Sequence, residues 1–574
     1  MDYKKEYEKW LSDDYFDVQI KEELKSIAED KKEIEDRFYR ELEFGTGGLR
    51  GVIGAGTNRM NIYTVRKATQ GLANYIKEQK GEEKGVAIAY DSRIMSPEFA
   101  REAALCLNAN GIRTYLFSSL RPTPELSFAV RELGCIAGIV ITASHNPREY
   151  NGYKVYWEDG AQITPPHDKN ILSEVAKVQD YSTVKTMAEE AAKEAGLFHM
   201  IGEEIDIAYM EKLKEQSIHP EIIKQAAKDI KIVYTPLHGA GNLPVQNVLK
   251  ELGFEQVYIV PEQEKPDGTF PTVAYPNPED AKAFELALKL AKEKDADIVL
   301  ATDPDADRLG VYAKDKESGE YVSFTGNMSG MLIAEYILRE RKKAGTLPVN
   351  AALVKTIVTT NMADVLAAEY GVKLVEVLTG FKYIGEQIKF FERDRSYQYV
   401  FGLEESYGCL AGTYARDKDA CVAVMMLCEA AAFYKCHNMT LWDAMTRLYE
   451  KYGYYRETLS TMTLKGIEGA EKIKKIMNDL RSSAPEKLGD FKVVAIRDYE
   501  KGIRIVPGME EQEQLSLPKS NVLYFELENN GWCCARPSGT EPKIKFYMGV
   551  KGTSLEQSKE LVEKLQATML GLVE

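Results

Sequence analysis

The sequence predicts three tandem α/β domains with mixed sheets, followed by a C-terminal α+β domain. Three observations support this prediction: a length of 574 residues, a strand–helix–strand pattern that occurs three times, and a change of pattern after about residue 455. Two strands joined through a helix by short links form a right-handed parallel unit. We expect domains at 1–205, 206–318, 319–453 and 454–574.

A glycine marks the end of the first helix in each repeat. Gly111, Gly253 and Gly371 each stand between a helical pattern and an apolar run, the place where a helix ends in the left-handed conformation. The apolar runs that enclose these helices are 86–90 and 112–117, 230–234 and 254–260, and 353–358 and 372–378. Each repeat then passes through a second helical stretch to another apolar run.

A polar loop follows that last apolar run in every repeat. Ser144 follows Gly111 by 33 residues, and Glu404 follows Gly371 by the same number. Asp303 follows its glycine by 50 residues, so the second repeat contains an insertion, which we place in the proline-rich stretch 261–278. Ligands collect at the carboxyl ends of parallel strands, so these loops are the candidate functional elements.

The fourth domain has a different pattern. One helix at 467–480 precedes three β-type runs, at 522–525, 532–535 and 544–548, and a final helix from about Leu555. This order favours an antiparallel sheet. A fourth polar loop, 536–543, joins the last two strands. The first 40 residues predict one or two charged amphipathic helices and give no indication of catalysis.

Composition excludes several classes of function. Lys and Arg number 74 against 89 Asp and Glu, and the net charge of −15 argues against a nucleic-acid partner. No apolar run approaches the roughly 18 residues of a membrane span, and no apolar segment follows the charged amino terminus, so we expect a cytoplasmic protein. The eight cysteines and six histidines lack zinc-binding spacing, which predicts reduced structural thiols and argues against a zinc hydrolase.

Asp303, Asp305 and Asp307 follow a buried-type strand at 297–301. Three carboxylates on one tight turn repel one another unless a cation binds them, and hard oxygen ligands suit Mg²⁺ or Ca²⁺. An EF-hand is excluded because Arg308 and Lys314 occupy the positions that require Gly and Glu. A solvated acidic turn is the alternative interpretation.

Ser144 lies in a loop between the apolar run 138–141 and the segment 151–154. Ser144 and the adjacent His145 cannot form a catalytic triad pair, and no Gly-x-Ser-x-Gly elbow is present, which disfavours an ordinary serine hydrolase. Taken alone, Ser144 would be an ordinary turn residue. Its place in the repeat, equivalent to that of the acidic triplet and of Glu404, indicates function.

The two remaining loops carry groups suited to a sugar phosphate. Glu404 and Ser406 offer acceptors and a hydroxyl, which suit sugar hydroxyls. The fourth loop combines cationic and hydroxyl donors suited to a phosphate dianion, namely Arg536, Ser538, Thr540 and Lys543 around Gly539. A solvated turn is the alternative for the fourth loop.

Together these motifs resemble the α-D-phosphohexomutases from about residue 45 to the end of the chain. The segments Thr-Ala-Ser-His-Asn-Pro at 142–147, Asn-Gly-Tyr-Lys-Val-Tyr-Trp at 151–157 and Gly-Ala-Gln-Ile at 160–163 look like the phosphoglucomutase/phosphopentomutase branch. The resemblance implies a heart-shaped fold with a central cleft lined by one loop from each domain.

The resemblance also implies roles for individual residues. Ser144 would carry a phosphoryl group, with Arg50, Lys154 and His145 as the other catalytic residues. The metal ligands would be Ser144 through its phosphate oxygen together with Asp303, Asp305 and Asp307, binding Mg²⁺. The substrate-binding residues would be Arg308, Thr379, Gly380, Lys382, Glu404, Ser406, Arg536, Ser538, Gly539, Thr540 and Lys543. One departure is Gly408, where some relatives have a histidine, so their acid/base assignment does not transfer.

The activity that the resemblance implies is interconversion of glucose 1-phosphate and glucose 6-phosphate, with glucose 1,6-bisphosphate as intermediate and activator. Alternatives within the family are a pentose phosphate or a mannose phosphate as substrate. A haloacid-dehalogenase-type phosphotransferase using Asp303 and Asp305, and a non-catalytic sugar-phosphate sensor, are alternatives of other classes. We expect small-molecule sugar phosphates as partners, with no nucleic acid and no membrane; the sequence predicts no oligomeric state.

Overall fold

In the computed structural model, which describes residues 2–44, 48–464, 466–509, 511–538 and 543–573, the strands form four sheets in chain order. The first domain contains the helices α1 (Tyr3–Ser12), α2 (Val18–Ser26), α3 (Lys31–Phe38), α4 (Ile62–Glu78), α5 (Ser96–Ala109), α6 (Thr123–Glu132), α7 (His167–Lys177) and α8 (Glu189–Glu194). Its strands are β1 (Gly48–Val52), β2 (Val86–Tyr90), β3 (Thr114–Phe117), β4 (Ala137–Ile141), β5 (Tyr150–Trp157) and β6 (Phe198–Ile201).

The amino-terminal segment differs from the prediction of one or two helices. Asp2, Asp17 and Asp30 each accept backbone N–H groups at a helix start, so the segment divides into α1, α2 and α3. Their buried faces pack around Trp10 and Phe38. Tyr39, just after α3, reaches the central cleft described below.

The second and third domains follow the first. Two helices, α9 (Glu203–Lys214) and α10 (Pro220–Ala226), lead into the second domain. Its elements are β7 (Lys231–Thr235), α11 (Asn242–Leu252), β8 (Gln256–Ile259), α12 (Pro261–Glu264), α13 (Glu285–Lys294), β9 (Ile298–Thr302), β10 (Leu309–Lys314) and β11 (Tyr321–Phe324). The third domain comprises α14 (Gly326–Lys343), β12 (Ala351–Thr356), α15 (Met362–Tyr370), β13 (Lys373–Val377), α16 (Phe381–Asp394), β14 (Gln398–Glu404), β15 (Gly408–Ala411), α17 (Ala420–Cys436) and α18 (Leu441–Tyr452).

The same four-strand arrangement occurs in the first three sheets. Their strand orders contain β3–β2–β4–β5, β8–β7–β9–β10 and β13–β12–β14–β15. In each, the first three strands are parallel and the fourth pairs antiparallel with the third. Gly111, Gly253 and Gly371 have φ angles of +79°, +94° and +70°, which confirms the predicted left-handed helix ends.

The fourth domain is a largely antiparallel sheet, as predicted, but it contains more strands than the three expected. They are β16 (Tyr454–Thr463), β17 (Lys487–Leu488), β18 (Phe491–Asp498), β19 (Ile503–Ile505), β20 (Gln512–Gln514), β21 (Leu523–Leu527), β22 (Trp532–Pro537) and β23 (Lys543–Gly552). Its helices are α19 (Gly466–Ser482) and α20 (Leu555–Gly571). β16 lies at the edge and pairs with β23 over ten residues.

Hydrophobic packing joins the first three domains more closely than the fourth. One continuous buried cluster extends from Ala87 in β2 to Tyr455 at the start of β16. The fourth domain has its own core, which includes Met477, Phe525 and Leu565. Within the described ranges, no single helix is long and apolar enough to cross a membrane, and only the bent pair α17 and α18 passes that test jointly by length and composition.

Candidate active site

Each of the four polar loops connects two adjacent antiparallel strands. The first three lie between β4 and β5, β9 and β10, and β14 and β15, and the fourth lies between β22 and β23. Residues from all four domains line one cleft of about 980 Å³, among them Arg50, Ser144, Asp307, Glu404 and Arg536. The structure therefore brings together residues that lie hundreds of positions apart in the sequence.

Ser144 lines this cleft in a strained conformation. It is buried and has a φ angle of +52°, in the left-handed region that few side-chain-bearing residues adopt. Its backbone N–H donates to Thr142 Oγ1 at 2.8 Å, and its Oγ donates to Asp303 Oδ2 at 2.6 Å. The nucleophile candidate of the first domain thus contacts the acidic loop of the second directly.

His145 lies beside this serine, with Nδ1 3.2 Å from Ser144 Oγ. Burial, together with the positive charges of Arg308 and Arg50, lowers the pKa of His145 well below its usual range. These surroundings favour the neutral form of the imidazole. Arg50 reaches the same loop from β1, where its Nη1 donates to Asn146 Oδ1 at 3.5 Å.

The acidic triplet forms a compact set of oxygen ligands. Asp303, Asp305 and Asp307 are buried, and one carboxylate oxygen of each lies within 4.8 Å of the others. Asp305 Oδ1 and Asp307 Oδ1 are buried without a hydrogen-bond partner among the described residues. Buried carboxylate oxygens without donors are costly, and a divalent cation with oxygen ligands would satisfy them. The residues therefore fit a hard metal ion.

The carboxylates of the triplet influence one another and interact with nearby lysines. Burial and the neighbouring charges of Asp305 and Asp307 raise the pKa of Asp303 well above its usual range. Burial also opposes ionisation of Asp305, but the ammonium of Lys154, 2.8 Å away, outweighs it and lowers the pKa of Asp305. A second lysine, Lys418, lies 2.8 Å from Asp307 Oδ2.

Lys418 is a site residue that the sequence reasoning missed. Its Nζ also lies 3.9 Å from Glu404 Oε1, so it connects the acidic loop to the sugar-loop candidate. Burial disfavours its charge, but Asp307 and two further carboxylates outweigh that effect and raise its pKa. The polar run 416–419, just before the apolar helix α17, was the available sequence signal.

The lack of a side chain at Gly408 leaves the space that the Lys418 side chain occupies. A Cβ at Gly408 would lie 2.2 Å from Lys418 Cδ, so any side chain there would displace the lysine. The departure noted at Gly408 therefore has a physical reason in this chain, because Lys418 occupies the space that a side chain at that position would need.

The third-domain loop presents carboxylates and a hydroxyl to the cleft. Ser406 Oγ donates to Glu404 Oε1 at 2.8 Å, and both residues line the cleft. Arg308 spans from the acidic loop to this one: its Nη1 donates to Ser406 O at 3.1 Å and to Glu279 Oε1 at 2.6 Å. Glu279 was not among the predicted residues.

A second loop of the third domain contributes Thr379 and Gly380 to the cleft wall. Lys382 follows them in the first turn of α16 and is not among the residues that line the cleft. Burial lowers the pKa of Lys382, Asp168 and Glu386 oppose this change, and Arg536 reinforces it.

The fourth domain contributes cationic side chains to the cleft. Arg536 faces Lys545 across the β22–β23 pair, and both line the cleft. Burial and the charges of Arg536 and Arg308 lower the pKa of Lys545, as expected for clustered cations. Lys545 was not predicted, although its two-residue offset from Lys543 places the two on the same strand face.

The base of this loop is closed by the Ser538 N–H, which donates to Lys543 O at 2.8 Å. The predicted residues Gly539 and Thr540 lie outside the described residues.

Comparisons with known proteins agree with this architecture. Models of the phosphoglucomutase/phosphomannomutase α/β/α domains I, II and III match residues 41–182, 207–317 and 325–452. A phosphoglucomutase from Staphylococcus epidermidis is 39% identical over 513 residues, which cover 89% of this chain and 90% of that protein.

Two solved structures share the fold. A putative phosphomannomutase from Thermus thermophilus has a TM-score of 0.67 at 22% identity, covering 92% of this chain and 99% of that chain. The open form of the Paramecium phosphoglucomutase pp63/parafusin has a TM-score of 0.67 at 19% identity, covering 93% of this chain and 95% of that chain. With domain-model matches in order and a relative aligned over nearly the whole length, the chain belongs to the phosphoglucomutase/phosphomannomutase family.

Proposed function

We propose that the protein interconverts glucose 1-phosphate and glucose 6-phosphate through a phosphorylated Ser144. The observation that carries this proposal is the 2.6 Å contact between Ser144 Oγ and Asp303, which joins a strained serine to a buried carboxylate triplet. The Staphylococcus relative named as a phosphoglucomutase supports glucose as the sugar. A serine hydrolase would need a histidine oriented by a carboxylate. His145 Nδ1 lies 3.2 Å from Ser144 Oγ, but among the described residues no carboxylate hydrogen-bonds to its imidazole, and the serine contacts a candidate metal site instead.

Asp303, Asp305 and Asp307 would hold Mg²⁺, together with an oxygen of the phosphorylated serine. When bound, the ion supplies positive charge that stabilises the phosphoryl group during transfer. The two carboxylate oxygens without donors support this assignment. Lys154 and Lys418 hold Asp305 and Asp307 in place from the side.

The phosphoryl group would move from Ser144 to the free hydroxyl of the sugar phosphate. The bond from Ser144 Oγ to phosphorus breaks and its electron pair stays on Oγ, while a new phosphorus–oxygen bond forms to the sugar hydroxyl oxygen. That hydroxyl loses its proton and Ser144 Oγ gains one, so the step is balanced with the serine returned as a free hydroxyl. Arg50 contacts Asn146 in the loop of Ser144, Lys154 contacts Asp305 in the acidic loop, and the two would supply cationic groups for the developing charge. The product of this half-reaction is glucose 1,6-bisphosphate, which also acts as the activator that phosphorylates Ser144.

The far side of the cleft would hold the phosphate that does not react. Arg536 and Lys545 supply two cations there, and Ser538 and Lys543 belong to the same loop, with Gly539 and Thr540 assigned to it from the sequence. Glu404 and Ser406 would contact sugar hydroxyls between the two phosphate positions, with Thr379 and Gly380 beside them and Lys382 behind them at the start of α16. The bisphosphate must be accepted in two orientations, because each of its phosphates returns in turn to Ser144.

The test compares kcat/KM for glucose 1-phosphate, mannose 1-phosphate and ribose 1-phosphate, with Mg²⁺ and catalytic glucose 1,6-bisphosphate. Wild type should favour glucose 1-phosphate by about tenfold or more, the size of a specificity difference that a few contacts produce. Ser144→Ala should lose turnover and remain unphosphorylated by intact-mass measurement. A lead for ribose or mannose phosphate would change the substrate assignment, and turnover that persists without Ser144 would contradict the mechanism.

A further inference from the structure

The stretch 265–273 of the second domain lies against the first domain. A Cβ added to Gly268 would lie 2.5 Å from Ile94 N and 2.6 Å from Ser92 O, so the two backbones are in direct contact. Only glycine permits that approach. These residues belong to the proline-rich stretch identified as an insertion, and after α12 they form turns rather than helix or strand.

The stretch is itself anchored to the second domain. His238 Nε2 and Gln263 Nε2 lie 2.9 and 3.0 Å from Thr272 Oγ1, and the Asp267 N–H donates to His238 O at 3.3 Å. Phe270 is buried at the tip, with a φ angle of +45°. The second domain therefore presents this aromatic ring in a fixed position.

The ring of Phe270 lies against the guanidinium of Arg93 in the first domain. The guanidinium carbon lies 5.1 Å from the ring centroid, within the range of a cation–π contact. Arg93 is 1% exposed, so ring and guanidinium are both shielded from water. A shielded contact of this kind is stronger than one at the surface.

Arg93 organises the backbone of the loop that carries Ser144. Its Nη2 donates to Ser144 O at 2.5 Å and to Asn146 O, and its Nη1 donates to Pro147 O at 2.8 Å and Tyr150 O at 3.0 Å. Four backbone carbonyls of one hairpin thus accept hydrogen bonds from a single planar guanidinium. A lysine, with a single nitrogen, cannot reproduce this geometry.

We propose that Arg93 is a positioning residue for Ser144 and that Phe270 of the second domain fixes the position of the Arg93 guanidinium. The proposal rests on the function proposed for Ser144. The 261–278 stretch then couples the nucleophile loop to the same domain that carries the acidic triplet, so that Ser144 and Asp303 are held together from two sides. A misplacement of about 1 Å at a reacting atom can reduce a rate by 10²-fold, so this coupling matters for catalysis.

The experiment compares Phe270→Leu and Arg93→Lys with wild type and with Tyr275→Leu. Tyr275 is the matched control, because it is an aromatic residue of the 261–278 stretch but is 53% exposed. The rate at which glucose 1,6-bisphosphate phosphorylates Ser144 is followed by intact mass, and kcat, KM for glucose 1-phosphate and Tm are measured in parallel. Activity is expressed per folded molecule.

Phe270→Leu should slow Ser144 phosphorylation and kcat by about tenfold, and Arg93→Lys by about 10²-fold, with KM changed less than about threefold. The control should behave as wild type. Wild-type phosphorylation rates in both variants, or a rise in KM alone, would overturn the proposal. If Arg93→Lys does not fold, the result for Phe270→Leu alone tests the proposal. That variant keeps Arg93 and therefore leaves its hydrogen bonds to all four backbone carbonyls available. A wild-type protein that is never phosphorylated on Ser144 would instead refute the proposed function.

Discussion

Glu405 provides a sharp test of the electrostatics of the cleft. Its carboxylate accepts a hydrogen bond from Thr356 Oγ1 at 3.1 Å and lies beside Glu404. Burial, reinforced by the charge of Glu404, raises the pKa of Glu405 from 4.5 to about 7. We therefore predict that Glu405→Gln stabilises the protein at alkaline pH, because the amide keeps the acceptor and removes the ionisation.

The sign of this effect follows from proton linkage. Below about pH 4.5 the carboxyl is protonated in both the folded and the unfolded chain, so ionisation costs nothing. Between about pH 4.5 and 7 only the unfolded chain loses its proton, and the free energy of unfolding falls as pH rises. Above pH 7 the loss is complete and amounts to about 3 kcal/mol.

The assay is thermal unfolding of wild type and Glu405→Gln at pH 5 and pH 8. The apparent Tm of the variant should exceed that of wild type by a few degrees at pH 8, with little difference at pH 5. Glu450→Gln, an exposed glutamate on α18 of the same domain, is the control and should show no such dependence. An equal difference between Glu405→Gln and wild type at the two pH values would refute the reasoning.

Three further predictions concern the metal site, the phosphate loop and packing. Asp307→Asn should raise the Mg²⁺ concentration for half-maximal activity by about tenfold, because an amide is a weaker ligand than a carboxylate; unchanged Mg²⁺ dependence would contradict the metal assignment. Arg536→Met should raise KM for glucose 1-phosphate by roughly 10-fold to 100-fold through the loss of charge-assisted hydrogen bonds, whereas a wild-type KM would exclude Arg536 from the site. Gly385→Ala should lower stability by about 1–3 kcal/mol, since its Cβ would lie 2.4 Å from Arg416 O. Gly571→Ala, with open space around its Cβ, serves as the control in denaturant unfolding.

The features that sequence reasoning predicted best depend on local chemistry. Gly111, Gly253 and Gly371 end their helices because a left-handed backbone needs no partner far along the chain. The acidic triplet and Ser144 also stood out locally, since each follows an apolar strand. Their positions within equivalent repeats indicated that they would face a common site, and the 2.6 Å contact between Ser144 and Asp303 agrees with that expectation.

What the sequence did not reveal depends on contacts between distant segments. The edge strand β16 pairs with β23 about ninety residues later, so its mixed polar and apolar residues gave little sign of a strand. Lys418 became visible as a site residue only when Asp307 and Glu404 were placed around it. The contact of Phe270 with Arg93 likewise joins two domains through a stretch without helix or strand.

The equivalent position of the first three hairpins has an evolutionary consequence. The sheets determine where each of these hairpins meets the cleft, while the short sequence at each tip determines the chemistry that it contributes. A substitution at one tip can therefore alter one chemical property without moving the other two. If Glu404 contacts the sugar as proposed, a lineage can change its sugar preference in that hairpin and still inherit an unaltered serine and unaltered carboxylates.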